Sequence, residues 1–301
     1  MKKPLIILTG PTAVGKTKLS IQLAKAIGGE IISADSMQVY KGMNIGSAKI
    51  KKEEMEGIPH YLVDVLEPDE EFHVVRFQQM AKEAMAQIYA NDHIPIVVGG
   101  TGFYIQALLY DIDFTENEED HEYRHELENI AQEKGAEYLH AMLREVDEES
   151  ANEIHANNIK RVIRALEFYK QTGTKISVHN AAERAKSSPY DFCYFVLNDE
   201  REKLYERINL RIDEMLKEGL VDEVKSLDYL NGITTLDEAI YILKRDTRHF
   251  AKRQITWFKR ERDVIWVNKN DFHYDDEKIL EFLIQEIQKG TKIHVRNDGT
   301  I

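Results

Sequence analysis

The residues best equipped for chemistry stand near the start of the chain, in Gly10-Pro11-Thr12-Ala13-Val14-Gly15-Lys16-Thr17. The spacing is G-x-x-x-x-G-K-[ST]. It lies between a short apolar run, Pro4–Thr9, and a helical pattern through Leu19, Leu23 and Ile27, the context a phosphate-binding loop requires. Glycines there let backbone N–H groups converge on phosphate oxygens at the positive end of a helix. Lys16 adds a mobile cation, and the Thr17 hydroxyl is the usual Mg²⁺ ligand. The loop therefore reads as a site for a di- or polyphosphate with its Mg²⁺, of the kind that nucleotide- and ATP-binding proteins use.

An NTPase normally holds its magnesium with an Asp that ends an apolar strand. Here the best apolar strand, Ile94–Val98, ends in Gly99-Gly100-Thr101-Gly102 instead. That turn brings Thr101 close to a phosphate, or simply opens the next helix. A carboxylate stands at the end of another strand, Glu30–Asp35, and is followed by Ser36, Met37 and Gln38. In a parallel sheet that end faces the same crevice as the phosphate loop. Asp35 can then take a proton or hold a metal-bound water; the alternative is an Asp that caps the next turn. Asp64 is a rival metal-binding carboxylate. Arg207 and Arg211, at i and i+4, either reach the phosphate site or pair with Glu206 or Glu214.

These residues need a scaffold, and the first 110 residues supply a rhythm of strands and helices: strands at 4–9, 30–35, 61–66 and 94–98, and helices after the phosphate loop, at 72–91 and at 103–110. Such alternation predicts a parallel sheet covered by helices on both faces. From Asp111 to Ser188 only helical patterns occur, among them Asn158–Gln171. Strand character returns at Asp191–Leu197, followed by long helices at about 200–227 and 236–262, a strand at 264–267 and a helix at 275–289. The expected architecture is α/β, a P-loop NTPase-like parallel sheet core (1–110 and 189–301) interrupted by an all-helical insertion domain (111–188). On the helix 236–262, Leu236, Ala239, Ile240, Leu243, Phe250, Ala251, Trp257 and Phe258 project to one side. Lys244, Arg245, Arg248, His249, Lys252, Arg253, Lys259 and Arg260 project to the other. Lys160, Arg161 and Arg164 form a smaller basic cluster on an insertion helix. Either basic face is merely solvated or it meets a polyanion.

The net charge of −13 argues against a nucleic-acid partner until it is localised. Residues 111–153 hold 16 acidic side chains against Arg124, Lys134 and Arg144; the remaining 37 acidic and 37 basic residues balance. A polyanion partner is thus compatible with the rest of the chain, and the acidic segment is expected to face away from it or to fence it onto the basic side. The single Cys193 excludes a disulfide framework and a Cys-rich zinc module, and suggests a reducing compartment. No stretch approaches the roughly 20 apolar residues of a membrane span, and the leading apolar run is too short for a signal peptide. A soluble, cytoplasmic protein, without membrane contact and monomeric, is expected.

Several stretches are familiar as a set. The phosphate loop, Ile31–Met43 (IISADSMQVYKGM), Gly57-Ile58-Pro59-His60, Val98–Gly102, Lys160–Glu167 (KRVIRALE) and Ala251–Phe258 (AKRQITWF) occur in an order that resembles the bacterial type of the tRNA dimethylallyltransferase (isopentenyltransferase) family. The resemblance implies transfer of a dimethylallyl group from its diphosphate to N6 of adenosine 37 in tRNA. It implies diphosphate binding by Gly10–Thr17, with Mg²⁺ at Thr17, and catalytic roles for Asp35 as base and for Thr101, Lys16 and Arg211 on the leaving group. It also implies contact with the tRNA anticodon stem-loop through Asp35, Ser36, Met37, Gln38, Thr101, Arg124, Lys160, Arg161, Val162, Ile163, Arg164, Lys252 and Arg253. One departure stands out. Family members carry a segment with a Gly-Tyr-Lys-Glu-like motif linked to tRNA contact, where this chain runs from Leu227 straight into Asp228-Tyr229-Leu230-Asn231-Gly232. A small-molecule kinase, a prenyltransferase acting on free adenine nucleotides and a non-catalytic RNA-binding protein are the competing readings.

Overall fold

The computed structural model describes residues 2–114, 121–226 and 235–291. In chain order the elements are β1 (Lys3–Thr9), α1 (Lys16–Ile27), β2 (Gly29–Ala34), β3 (His60–Tyr61), α2 (Val74–Ala90), β4 (Ile94–Gly99) and α3 (Gly102–Leu109). The helices α4 (His121–Lys134), α5 (Ala136–Val146), α6 (Glu148–Glu153), α7 (Ile159–Thr172) and α8 (Ile176–Ala185) follow. The chain then continues as β5 (Tyr190–Asn198), α9 (Arg201–Glu218), α10 (Leu220–Ser226), α11 (Leu236–Phe258), β6 (Val264–Asn268) and α12 (Asp276–Gly290). It divides into two compact units, Met1–Asp111 with Pro189–Ile301, and Ile112–Ser188.

The first unit is built on a six-stranded sheet in the order β3-β2-β4-β1-β5-β6, with every neighbouring pair parallel. Leu5, Ile6, Ile7 and Leu8 of β1 and Tyr194, Phe195 and Val196 of β5 are buried on both faces of the sheet. Parallel strands with continuous apolar runs need such two-sided cover. Strand order reverses around β1, with β4 on one side and β5 on the other. The carboxyl ends of such strands bracket the crevice where ligands of doubly wound folds bind. Gly10, Asp35 and Gly100, each just past the end of β1, β2 or β4, therefore share one edge of the sheet.

The second unit packs α4–α8 around Leu127, Leu139, Leu143, Val162, Ile163 and Leu166. Asp147 accepts bonds from the backbone N–H and the hydroxyl of both Ser150 (3.1 and 2.7 Å) and Ser177 (2.9 and 2.7 Å), tying α6 to α8. No helix among the described residues is long and apolar enough to cross a membrane.

Three elements differ from the sequence expectation. The strand expected at 61–66 shrinks to His60–Tyr61, because Leu62 and Asp64 take left-handed φ values of 62° and 55°. The long helix expected at 200–227 is two helices, separated where Gly219 takes φ 103°. On α11 the apolar side is buried only at its C-terminal half. Ala251 and Phe258 are inside, while Leu236 and Leu243 are 54% and 38% exposed, and α11 meets α9 through polar ties, Lys244 to Asp213 and Arg248 to Asn209.

Candidate active site

The phosphate loop is held from behind. Gly15 takes φ 99° and opens α1, the N-terminus that would face an anion. Val14 is fully buried, so only its backbone is available to a ligand. The Lys16 ammonium donates to the carbonyls of Gly10 and Pro11, both at 2.9 Å, a resting position from which it can swing onto a phosphate. Burial lowers its pKa to about 8, with Asp35 pulling it back up and Arg211 pushing it further down. Arg211 is likewise lowered by burial and supported by Asp35. Lys16 and Arg211 thus both feel the Asp35 carboxylate, and Lys16 also feels Arg211.

Of the two roles weighed for Asp35, the structure shows the cap. Its Oδ1 caps the following turn, accepting from the backbone N–H of Met37 at 2.8 Å and of Gln38 at 3.3 Å. Its Oδ2 takes no hydrogen bond among the described residues and is left for chemistry. Thr101 sits beside it: its N–H donates to the carbonyl of Ala34 at 3.2 Å. Although Thr101 is the N-cap residue of α3, its side chain makes no cap bond, so the hydroxyl is not consumed by helix initiation.

Other expectations divide. Arg207 does not join the group. It pairs with buried Asp199 and reaches the carbonyl of Val14 at 3.5 Å, bracing the loop from behind. Asp64 is paired with Lys49 through Oδ1. Gln38 spends its amide inside its own loop, donating to the carbonyls of Ser47 (3.2 Å) and Ala48 (3.3 Å), so it shapes that loop and has less freedom to read a base. Met37, 44% exposed, and Ser36 remain accessible beside Asp35.

In the helical unit Lys160, Arg161 and Arg164 are exposed, but Val162 and Ile163 are 0% and 4% exposed. Helical spacing turns those two into the core, so their side chains cannot meet a ligand. Arg124 clamps buried Glu167 with two parallel bonds of 2.9 Å, a pairing that holds α4 to α7. Glu116, Glu118, Glu119 and Asp120 of the acidic segment, and the Leu227–Gly232 junction, lie outside the described residues.

Lys252 and Arg253 are exposed on α11. With His249, Thr256, Trp257 and Arg260 they line an open cleft of about 390 Å³. A Cβ on Gly102 would lie 2.2 Å from the Trp257 ring, so the glycine is what lets the α11 indole lie against the start of α3. Gln254, not singled out from the sequence as a site residue, is 6% exposed and contacts the loops after β1 and β4. The available signal was a polar residue in the buried stripe of α11, three positions after Ala251 and four before Phe258. Among the described residues no group of three or more His, Cys, Asp or Glu could hold a metal ion. The donor set fits a magnesium bound through Thr17 and ligand oxygens, as Mg²⁺ prefers one or two protein ligands and phosphate partners.

An all-parallel sheet with the phosphate-loop motif at its switch point, and with Lys16 and Arg211 electrostatically coupled to Asp35 there, defines a P-loop-like α/β protein. The family comparison is more specific. The chain belongs to the IPP transferase family, whose model matches residues 38–229 and 226–261. It is 58% identical over 302 residues to a tRNA dimethylallyltransferase of Lachnoclostridium phytofermentans, covering 93% of this chain and 96% of that one. Its structure is similar to the full-length tRNA isopentenylpyrophosphate transferase of Bacillus halodurans (TM-score 0.70, 41% identity, 96% of this chain and 98% of that one). It is also similar to a eukaryotic dimethylallyltransferase captured acting on tRNA (TM-score 0.80, 28% identity, 98% and 81%). The two family matches meet at residues 226–229, the junction where the sequence departs from the family pattern.

Proposed function

We propose that this protein transfers the dimethylallyl group of dimethylallyl diphosphate to N6 of adenosine 37 in tRNA, giving N6-isopentenyladenosine. The observation that carries the reading is Asp35. It is a carboxylate at the end of β2 whose Oδ2 takes no hydrogen bond among the described residues and whose charge acts on both Lys16 and Arg211. A nucleotide hydrolase would instead place a magnesium-holding Asp at the end of β4.

The chemistry follows from that placement. The phosphate loop, Lys16 and Arg211 hold the diphosphate, and Thr101 donates to it, so that charge is stabilised as the C1–O bond of the allyl group breaks. Thr17 would hold Mg²⁺, which would supply further neutralisation of the leaving group. The exocyclic amine of adenine is a poor nucleophile because its lone pair is delocalised into the ring. Asp35 Oδ2 accepts from N6–H and orients the amine. The nitrogen lone pair forms the new bond to C1, the C1–O electrons leave with diphosphate, and the N6 proton passes to Asp35. The base must be turned out of the anticodon-loop stack to reach it, where Ser36 and Met37 border its path. Lys252, Arg253 and the α11 cleft, and separately Lys160, Arg161 and Arg164, supply phosphate contacts that position the RNA without reading sequence.

The reading is tested by offering dimethylallyl diphosphate and Mg²⁺ together with unmodified tRNA, with AMP, or with ATP alone. Transfer to tRNA is expected. Transfer to AMP but not tRNA, or phosphate release from ATP without prenyl transfer, would overturn it.

A further inference from the structure

Gln254 lies in the buried stripe of α11, and a buried primary amide has to be matched to partners. Both of its ends are. Oε1 accepts from the backbone N–H of Thr12 at 2.9 Å, and Nε2 donates to the carbonyl of Gly100 at 3.0 Å. The orientation of the amide is unambiguous, because an N–H can only donate and a carbonyl can only accept. Thr12 lies inside the phosphate loop, and Gly100 immediately precedes Thr101. The fit leaves no slack: a Cβ on Gly100 would lie 2.1 Å from Nε2. One side chain on a helix more than 150 residues later in the chain thus bridges the loops after β1 and β4.

We infer that Gln254 is a positioning residue that fixes the spacing between the phosphate loop and the Thr101 turn, so that Lys16 and Thr101 act on the same departing diphosphate. It touches neither substrate; its effect runs through the two backbone groups it holds. The inference rests on the transferase reading. A misplacement of about 1 Å between such groups can cost on the order of 100-fold in rate.

Two variants test it. Gln254→Met keeps the volume and loses both bonds. Gln254→Glu keeps the acceptor for Thr12 N–H but sets a carboxylate against the Gly100 carbonyl; once protonated it regains the donor. Both should lower kcat on tRNA by roughly tenfold or more while the Kd for tRNA stays within about twofold of wild type. The turnover of Gln254→Glu relative to wild type should rise as pH falls from 8 to 6, since burial favours its protonated form, whereas the ratio for Gln254→Met should stay flat. Binding of inorganic diphosphate with Mg²⁺, followed by calorimetry, should weaken severalfold in Gln254→Met. Wild-type turnover in both variants, a loss confined to tRNA affinity, or a flat ratio for Gln254→Glu would overturn the clamp. Should wild type itself fail to modify tRNA, the transferase reading falls, and the diphosphate measurement still decides the clamp: unchanged affinity in Gln254→Met refutes it.

Discussion

At the scale of single residues the site is a balance of two cations and one carboxylate. Lys16, lowered by burial to about 8, is partly deprotonated in the free protein just above neutral pH. Diphosphate binds the ammonium form, so kcat/KM for dimethylallyl diphosphate should fall as pH rises through about 8. Bound diphosphate favours the charged form and raises the pKa, which moves the corresponding fall in kcat to higher pH. Lys16→Met should lose that alkaline limb and drop kcat/KM by about 100-fold or more. A pH-rate profile of both proteins checks this, and an unchanged alkaline limb in the variant would assign it to another group. Residue types at fixed spacing made this part legible in advance. The glycines, Lys16 and Thr17 declare a phosphate loop, and Asp35 and Thr101 follow once the strands before them are placed on a parallel sheet. Gln254 was not legible, because its partners are backbone atoms on two loops brought to it only by folding.

At the scale of elements, helix faces decide which charges are free. The spacing of α7 presents Lys160, Arg161 and Arg164 to solvent while sending Val162 and Ile163 inward, a division readable from a helical projection. The fate of Arg124 was not readable, since Glu167 lies on a different helix. Its removal should act on stability: Arg124→Met strands a carboxylate that is 3% exposed, at a cost of about 2 kcal/mol given the partial exposure of the arginine. Thermal unfolding should register that loss, while tRNA affinity measured well below the transition should hold; a selective loss of affinity would restore Arg124 to the RNA contacts. On α11 the opposite is expected. Lys252→Glu with Arg253→Glu should weaken tRNA binding and flatten its salt dependence by about one unit of slope per phosphate contact removed, with the KM for dimethylallyl diphosphate little changed. Equal weakening toward both substrates would place these residues at the diphosphate instead. Gly102→Ala should disturb the contact of Trp257 with the start of α3 and depress turnover more than RNA affinity, as separate binding and single-turnover measurements would reveal.

At the scale of the whole molecule, the charge of −13 is a poor guide to partners, because its excess sits in residues 111–153 while the phosphate site and α11 carry local positive charge. The strand–helix rhythm up to Tyr110, its interruption and its return at β5 were enough to anticipate a parallel α/β core with a helical unit inserted. Local backbone conformations that break elements, at Leu62 and Gly219, were not anticipated, since a turn there competes with otherwise continuous patterns. The most direct measurement of the central claim is single-turnover transfer of a labelled dimethylallyl group to an unmodified tRNA, with the product nucleoside identified after digestion, for wild type and Asp35→Asn. Label on N6 of adenosine 37 with wild type, and transfer slowed by roughly 100- to 10,000-fold at unchanged tRNA affinity with Asp35→Asn, is the predicted result. Label elsewhere, or transfer by Asp35→Asn at the wild-type rate, would contradict it.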